Sequence, residues 1–236
     1  MTPAIRICGA ELAVAAGGLA ALESFYAEGL GLSTRASEPD RLRVAVGSAT
    51  LTFVSSPDST RPFYHFALLL PGNRFDPARD WLSAASPLLA RPGEQGPTFA
   101  FDAWNAQACY AHDPSGNIVE LIAHRGVEES DHTGPFDAGE LRSLSEIGLV
   151  GADLPEFVEN LRPMGLELWS GQVRNDGAGL GFVGRQAHTL ILCSAGRPWL
   201  PTGRPAESHP VEVTMTSATG SIVRARVTDG RPVLVG

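Results

Sequence analysis

The sequence predicts an α+β fold in which one unit, a strand, a helix and three further strands, recurs along the chain. The segments ELAVAAGGLAALESFYAEGLGL, from Glu11, and EIGLVGADLPEFVENLRPMGLEL, from Glu146, both open with Glu and a short apolar strand. Both then have Leu eight residues after the Glu, and both reach a Gly-Leu pair at or near their end, Gly31-Leu32 and Gly165-Leu166. A third copy, HFALLLPGNRFDPARDWL, opens at His65. Recurrence of this kind indicates repeated structural units, which we number one, two and three by their openings at Glu11, His65 and Glu146.

Each opening is followed by strand-like segments with alternating or continuous apolar residues. RLRVAVG and ATLTFVSS follow in unit one, PTFAFDAW, AQACYAHD and NIVELIAH in unit two, and GLGFVG and HTLILCS in unit three. The tail contributes HPVEVTM, SIVRARV and RPVLVG without an evident helix. We interpret the tail as a shortened unit four.

Two polar, turn-rich stretches divide the chain. Residues 126–142 hold five acids, three glycines and a proline, which predicts a linker between a first domain, 1–125, and a second, degenerate domain, 143–236. Residues 194–210 form a second irregular connector. Its Trp199 is expected to bury its ring against the body of the protein.

Composition excludes several functional classes. A net charge of −8 argues against a nucleic-acid binder. All 18 basic residues are Arg, so lysine Schiff-base chemistry and a phosphate-loop lysine are absent. No stretch is long and apolar enough for a membrane span, and the N-terminus does not resemble an export signal. Three scattered cysteines, Cys8, Cys109 and Cys193, fit a reducing cytoplasm.

The stretch YAHDPSGNIVELIAHR raises a question about Glu120. Turn formers from Asp113 to Asn117 predict a tight turn, and an apolar strand follows with Glu120 in its middle. Alternation puts Glu120 on the same strand face as Ile118 and Ile122. That face is either solvated or buried. A buried carboxylate needs a partner or a cation because its desolvation is costly.

Repeated βαβββ units, one of them containing DPSGNIVEL, resemble the vicinal oxygen chelate superfamily, which includes glyoxalase I, extradiol dioxygenases and bleomycin-resistance proteins. The resemblance is strongest from His65 to His124, fair from Glu11 to Leu32 and weak in the tail. It implies paired units that form curved mixed sheets around a cleft, in two tandem glyoxalase-like pseudo-domains with a shortened last unit.

In that family, the first strand of a unit commonly supplies a metal-binding His and the last strand a Glu. Transferred to this sequence, the resemblance implies Glu11, His65 and Glu120 as metal ligands that converge in a cleft between units one and two. Glu120 is also the candidate catalytic base, and Thr52 stands at the fourth ligand position. One imidazole with two carboxylates suits Fe, Mn, Ni or Mg. Glu146 is expected to lie away from any metal, since unit three has no His–Glu pair.

Each of these residues also has a structural interpretation. His65 alone could be a hydrogen-bonded core histidine, and Glu11 could cap the exposed end of its strand. Trp104, Asn105 and Tyr110 are candidate substrate-binding residues near the mouth of the cleft, although the tryptophan could equally fill a gap in the core.

Two functions therefore stand side by side. The first is a metal-dependent lyase, isomerase or dioxygenase-like enzyme for a small oxygenated substrate, and the second is a metal-free protein that binds small molecules, of the bleomycin-resistance type. In either case the partner is a small molecule rather than nucleic acid or a membrane, and a homodimer is compatible with both.

Overall fold

The computed structural model describes residues 5–57, 60–93, 96–174 and 176–235, with the backbone alone at Ser37. It confirms the predicted α+β class, with mixed sheets and three α-helices. No helix among these residues is long and apolar enough to cross a membrane.

The helices and strands follow the predicted units. The α-helices are α1 (Leu19–Glu23), which continues as a π-helix over Ser24–Gly29, α2 (Phe75–Ala85) and α3 (Leu154–Leu161). The strands are β1 (Arg6–Ala15), β2 (Thr34–Glu38), β3 (Arg41–Val46), β4 (Ala49–Ser56), β5 (His65–Leu70), β6 (Thr98–Phe101), β7 (Ala106–His112), β8 (Ile118–His124), β9 (Ser143–Val150), β10 (Glu167–Gln172), β11 (Leu180–Arg185), β12 (His188–Cys193), β13 (Val211–Thr216), β14 (Ile222–Thr228) and β15 (Arg231–Val235).

Within each of the first three units, the first strand runs parallel to the last. β1 pairs with β4, β5 with β8, and β9 with β12, while the remaining pairs inside a unit are antiparallel. A parallel pair needs a long crossover connection, which the helix of each unit begins. β5 and β9 are buried along their whole length, which explains the nearly continuous apolar sequence of β5. β9 in addition buries Ser143, Ser145 and Glu146.

The pairing between units differs from the expectation that units one and two enclose the cleft. β5 of unit two pairs antiparallel with β9 of unit three, and β1 of unit one pairs antiparallel with β13 of unit four. A single bridge, Ile7 to Leu144, joins β1 to β9. Unit two therefore shares its sheet with unit three, and we call these strands the two–three sheet and the others the one–four sheet.

Predicted local features position the strands. Asp113 accepts hydrogen bonds from the backbone N–H groups of Ser115 and Asn117, and Gly116 has φ +79°, so the expected turn forms before β8. In α2 the residues Phe75, Ala78 and Leu82 are buried, at the spacing of one helix face. The division of the chain at residues 126–142 stays a prediction.

Candidate metal centre

Three buried side chains meet where units two and three join. His65 begins β5, Glu120 lies in β8, and Glu146 lies in β9. One potential ligand atom from each lies within 4.8 Å of the others. His65 Nε2 and Glu120 Oε2 are 3.2 Å apart. Because β5 is central to both pairings, its register with β8 and β9 brings the three residues together.

An approximate two-fold relation between units two and three explains the composition of this cluster. The sequence repeat aligns His65 with Glu146 and therefore Phe66 with Ile147, and the latter two residues pair with each other across β5 and β9. Glu120 lies opposite Ala67 in the parallel pair of unit two, and Ile191 lies opposite Gly148 in unit three. The position equivalent to Glu120 is therefore Ile191. Of these four positions, His65 and Glu146 in the first strands and Glu120 in a last strand carry potential ligand atoms. The fourth position, Ile191, is apolar.

Burial controls the protonation of the cluster. Desolvation lowers the pKa of His65 to about 4, against the smaller attraction of Glu146. Desolvation also raises the pKa of Glu120 to about 8, partly opposed by a hydrogen bond from Tyr110. For Glu146, desolvation and then repulsion from Glu120 raise the pKa to about 8. Without a cation, the neutral forms of all three groups are favoured near pH 7.

The two carboxylates differ in their hydrogen bonds. The Tyr110 hydroxyl donates to Glu120 Oε1 at 3.0 Å, and Glu120 Oε2 faces His65. No donor among the described residues reaches the carboxylate of Glu146, which is only 3% exposed. A buried carboxylate in this state needs a proton or a cation.

The donor set fits a divalent ion. Ligand atoms about 2.0–2.2 Å from one ion are roughly 3 Å apart when adjacent, close to the 3.2 Å between His65 Nε2 and Glu120 Oε2. Imidazole with two carboxylates is a hard donor set that suits Mn, Fe, Ni or Mg better than thiolate-preferring ions. Tyr110 behind Glu120 supplies the outer hydrogen bond that commonly orients a ligand.

The cluster lies in a cavity of about 490 Å³, within the size range of small-molecule sites. Its lining includes the aromatic side chains Phe101, Trp104, Tyr110, Phe182 and Trp199 and the residues from 197 to 203.

Trp199, as predicted, is buried, and its ring lies 5.0 Å from that of His65. Gly148 gives it room, because an added Cβ there would lie 3.1 Å from the indole. The loop over residues 197–203 thus forms a wall that covers the cluster.

The predicted substrate-binding residues separate into two groups. Trp104 and Tyr110 line the cavity. Asn105 is not among its lining residues; it adopts φ +50° at the start of β7, and its amide donates to the Arg125 carbonyl at 3.3 Å. Asn105 therefore occupies a turn position that tolerates left-handed backbone.

The structure does not bring Glu11 to the cluster. Its carboxylate pairs with Arg41 at 2.6 Å and its side chain is 45% exposed. Glu11 and Thr52 line a separate shallow groove on the one–four sheet. The expected convergence of Glu11 with His65 and Glu120 is corrected because β5 pairs with β9, and not with β1.

Glu146 is the member of the cluster that the sequence analysis missed. The repeat already aligned it with His65 as the opening residue of a unit. Its assignment away from the metal relied on the assumption that units one and two are paired. The polar residue at the opening of every unit was the available signal, but it did not indicate which two openings are adjacent.

No model of a known protein family matches the sequence, and no curated protein matches it. Solved structures do match. A point mutant of glyoxalase I from Zea mays has a TM-score of 0.56 at 16% identity, over 98% of this chain and 92% of that one. Glyoxalase I from Zea mays itself gives 0.52 at 15% identity over the same shares. A candidate dioxygenase from Bacillus subtilis gives 0.52 at 11% identity, over 94% of this chain and 84% of that one.

These matches extend over nearly the full length of the chain. At such low sequence identities they show a shared fold and nothing more. They agree with the paired βαβββ units. The chain has the fold of the vicinal oxygen chelate superfamily.

Proposed function

We propose that this protein is a divalent-metal-dependent enzyme that acts on a small oxygenated organic substrate, of the lyase, isomerase or dioxygenase-like type. The observation that carries the proposal is the buried cluster of His65, Glu120 and Glu146 at the wall of a cavity large enough for a small molecule. Three converging donor groups without a compensating charge are costly to bury, which supports a cation as their natural partner.

His65 and Glu120 would have different roles in binding the ion. His65 would donate Nε2 to the ion, because its pKa of about 4 keeps the ring neutral. Glu120 would be a fixed ligand, since Tyr110 holds its Oε1. A bound divalent ion would supply Lewis-acid stabilisation of negative charge on substrate oxygens.

A proton acceptor is also available. Glu146 has no hydrogen-bond donor among the described residues, so its carboxylate is freer to accept a proton than that of Glu120. Without a cation, desolvation and then repulsion from Glu120 raise the pKa of Glu146 to about 8. A divalent ion bound beside it would lower that pKa, so that the carboxylate would be ionised near neutral pH and able to accept a proton. Glu120 remains the second candidate for this role.

Elemental analysis of protein purified without chelator or metal-affinity tag tests the proposal. We expect close to one equivalent of a transition metal or Mg per chain, or uptake of one equivalent of Mn²⁺, Fe²⁺, Ni²⁺ or Mg²⁺ after dialysis. The His65→Ala variant should lose this binding. Failure of the folded wild-type protein to bind any of these ions would contradict the proposal.

The alternative is a metal-free small-molecule binding protein of the bleomycin-resistance type. It is favoured by Ile191, which places an apolar side chain at the fourth ligand position, and by the aromatic walls of the cavity. Protonated Glu120 and Glu146 would then act as hydrogen-bond donors. In that case small molecules would bind with equal affinity before and after exhaustive treatment with a chelator.

Three further predictions made from the sequence remain proposals. We infer a cytoplasmic protein from its cysteine content, and a homodimer is compatible with the fold. The division into domains at residues 126–142 rests on the polar composition of that segment.

A further inference from the structure

A positively charged side chain from the segment that follows unit three lines the cavity. β8 contributes Glu120, while the equivalent position of β12 is Ile191. Arg197 follows four residues after Cys193, the last residue of β12, and lines the same cavity. Arg197 thus adds a cationic group to a cavity that Arg91 of unit two and the carboxylates of Glu120 and Glu146 also line.

The backbone around Arg197 is held in place by a small hairpin. The Arg197 carbonyl accepts a hydrogen bond from Ala206 N at 2.7 Å, and the flanking Gly196 N donates to the Ala206 carbonyl at 2.8 Å. An isolated bridge joins Pro198 to Pro205. Trp199, two residues farther on, packs against His65. Arg197 is therefore attached to the same rigid wall that covers the cluster.

Most N–H groups of the Arg197 guanidinium donate no hydrogen bond to the described residues. It is half-buried, and its Nη1 donates to the Pro198 carbonyl at 3.1 Å. No carboxylate of the described residues forms an ion pair with it. By contrast, Arg74 and Arg226 are paired with Glu140 and Glu212. A guanidinium offers five N–H groups in a planar fork that matches a carboxylate, so most of those of Arg197 are available to a ligand.

The other walls define the body of that ligand. Phe101, Trp104, Phe182 and Trp199 present aromatic surface to the cavity, which suits a planar apolar group. A divalent ion held by two carboxylates would carry no net charge, so the base of the cavity would not repel an anion. We infer that the ligand is a planar, aromatic or conjugated carboxylate whose acidic group is bound by Arg197. Only the orientation of its other end toward the cluster rests on the proposed function.

Binding of matched probe compounds tests this inference. The probes are benzoate, 3,4-dihydroxybenzoate and 3,4-dihydroxyphenylacetate, each with its uncharged methyl ester, titrated against Mn²⁺-loaded protein by tryptophan fluorescence and calorimetry. A charge-assisted hydrogen-bond pair predicts that at least one acid binds about 10- to 100-fold more tightly than its ester. The Arg197→Gln variant should abolish that difference. Arg226→Gln, on the one–four sheet, is the matched control and should preserve it.

The outcomes separate this inference from the metal proposal. In His65→Ala, the preference for dihydroxybenzoate over benzoate should disappear while the preference for acid over ester persists; that pattern would support both. Acid preference without any effect of metal would contradict the metal enzyme and uphold the role of Arg197. Equal affinity for acids and esters, no saturable binding of any acid, or an unchanged preference in Arg197→Gln would overturn the inference.

Discussion

The two–three sheet and the one–four sheet share one construction and differ in what covers them. In each, two units join through antiparallel first strands, β5 with β9 and β1 with β13. Both carry acidic residues at the junction. On the two–three sheet they are Glu120 and Glu146, which are buried beneath the wall at 197–203.

On the one–four sheet the junction places Glu11 directly opposite Glu212. Arg41 pairs with Glu11 and Arg226 with Glu212, and these side chains are partly exposed. The groove that Glu11 and Glu212 line has a volume of about 300 Å³. Exposure lets carboxylates be neutralised by mobile arginines and water, whereas burial leaves them to a proton or a cation. The loop over residues 197–203 covers the junction of the two–three sheet. This covering loop, more than the shared fold, makes that junction a candidate site.

The largest difference between the two sheets is expected in metal affinity, when the corresponding glutamate of each sheet is replaced in turn. Glu146→Gln should weaken Mn²⁺ binding by more than about 100-fold, since even outer hydrogen-bond partners typically contribute 10- to 100-fold. Glu11→Gln should leave the affinity unchanged, because Glu11 pairs with Arg41 outside the cavity. Calorimetric titration of both variants measures this. Equal loss in the two variants would contradict the assignment of the site to one sheet.

The pH dependence of stability should also distinguish the sheets. In metal-free protein, Glu120 and Glu146 have pKa values of about 8, raised from 4.5, so the folded state holds protons that the unfolded state releases. Stability should therefore fall as pH rises from 6.5 to 8, by up to about 1.4 kcal/mol per pH unit for each carboxyl. Below pH 6.5 the lowered pKa of His65 offsets part of this slope, because unfolding then takes up a proton.

Urea denaturation in the presence of chelator at several pH values checks this slope. Glu146→Gln should reduce it, and Glu11→Gln should retain it. A flat profile for the wild-type protein between pH 6.5 and 8 would mean that the cluster is not buried in the neutral form.

Tyr110 should matter for metal affinity in a way that a comparable tyrosine does not. Tyr110→Phe removes the donor to Glu120 Oε1 and should weaken Mn²⁺ binding by about 10- to 100-fold. Tyr26→Phe removes a similar buried bond, to Asp113 at 3.0 Å, away from the cavity. That control should alter the melting temperature without a change in Mn²⁺ affinity. An unchanged affinity in Tyr110→Phe would show that the hydroxyl does not orient Glu120.

The packing of Trp199 over the cluster can be disturbed by a substitution at Gly148. An added Cβ would lie 3.1 Å from the Trp199 ring and 3.2 Å from the His65 carbonyl, so Gly148→Ala should destabilise the protein by about 1–3 kcal/mol through overpacking. Tryptophan fluorescence should change as the indole moves. Gly29→Ala, whose Cβ would meet only Ala85 and Ser24 at ordinary contact distances, is the control. Unaltered fluorescence in Gly148→Ala would contradict the packing of Trp199 over the cluster.

The smallest effect is expected on the open sheet. The ion pair between Glu11 and Arg41 is partly exposed, so Glu11→Gln should change the free energy of unfolding by only about 0–1 kcal/mol. High salt should reduce the effect further because it screens exposed charges. A loss of several kcal/mol would indicate that this sheet has a buried electrostatic centre of its own.

The repeating unit and its local structure follow from short-range patterns in the chain. The turn from Asp113 to Asn117, the apolar strands and the amphipathic helices are specified by residues that are neighbours in the chain, so periodicity and turn chemistry identify them. For Glu120 the residues alone left two interpretations, solvated or buried with a partner, and a lone His65 could equally be a core histidine. It was the resemblance to the vicinal oxygen chelate superfamily that implied both residues as metal ligands.

Which units are adjacent, and therefore which residue is the third member of the cluster, depends on contacts between strands that are distant in the chain. Glu11 and Glu146 open similar strands, and nothing within either segment states whether β1 or β9 lies beside β5. Strand pairing depends on contacts summed over whole sheets, and one pairing brings Glu146 to His65 while the other would have brought Glu11. The burial that raises the pKa of Glu146 likewise belongs to the assembled sheets and their cover, since desolvation arises from atoms distant in sequence.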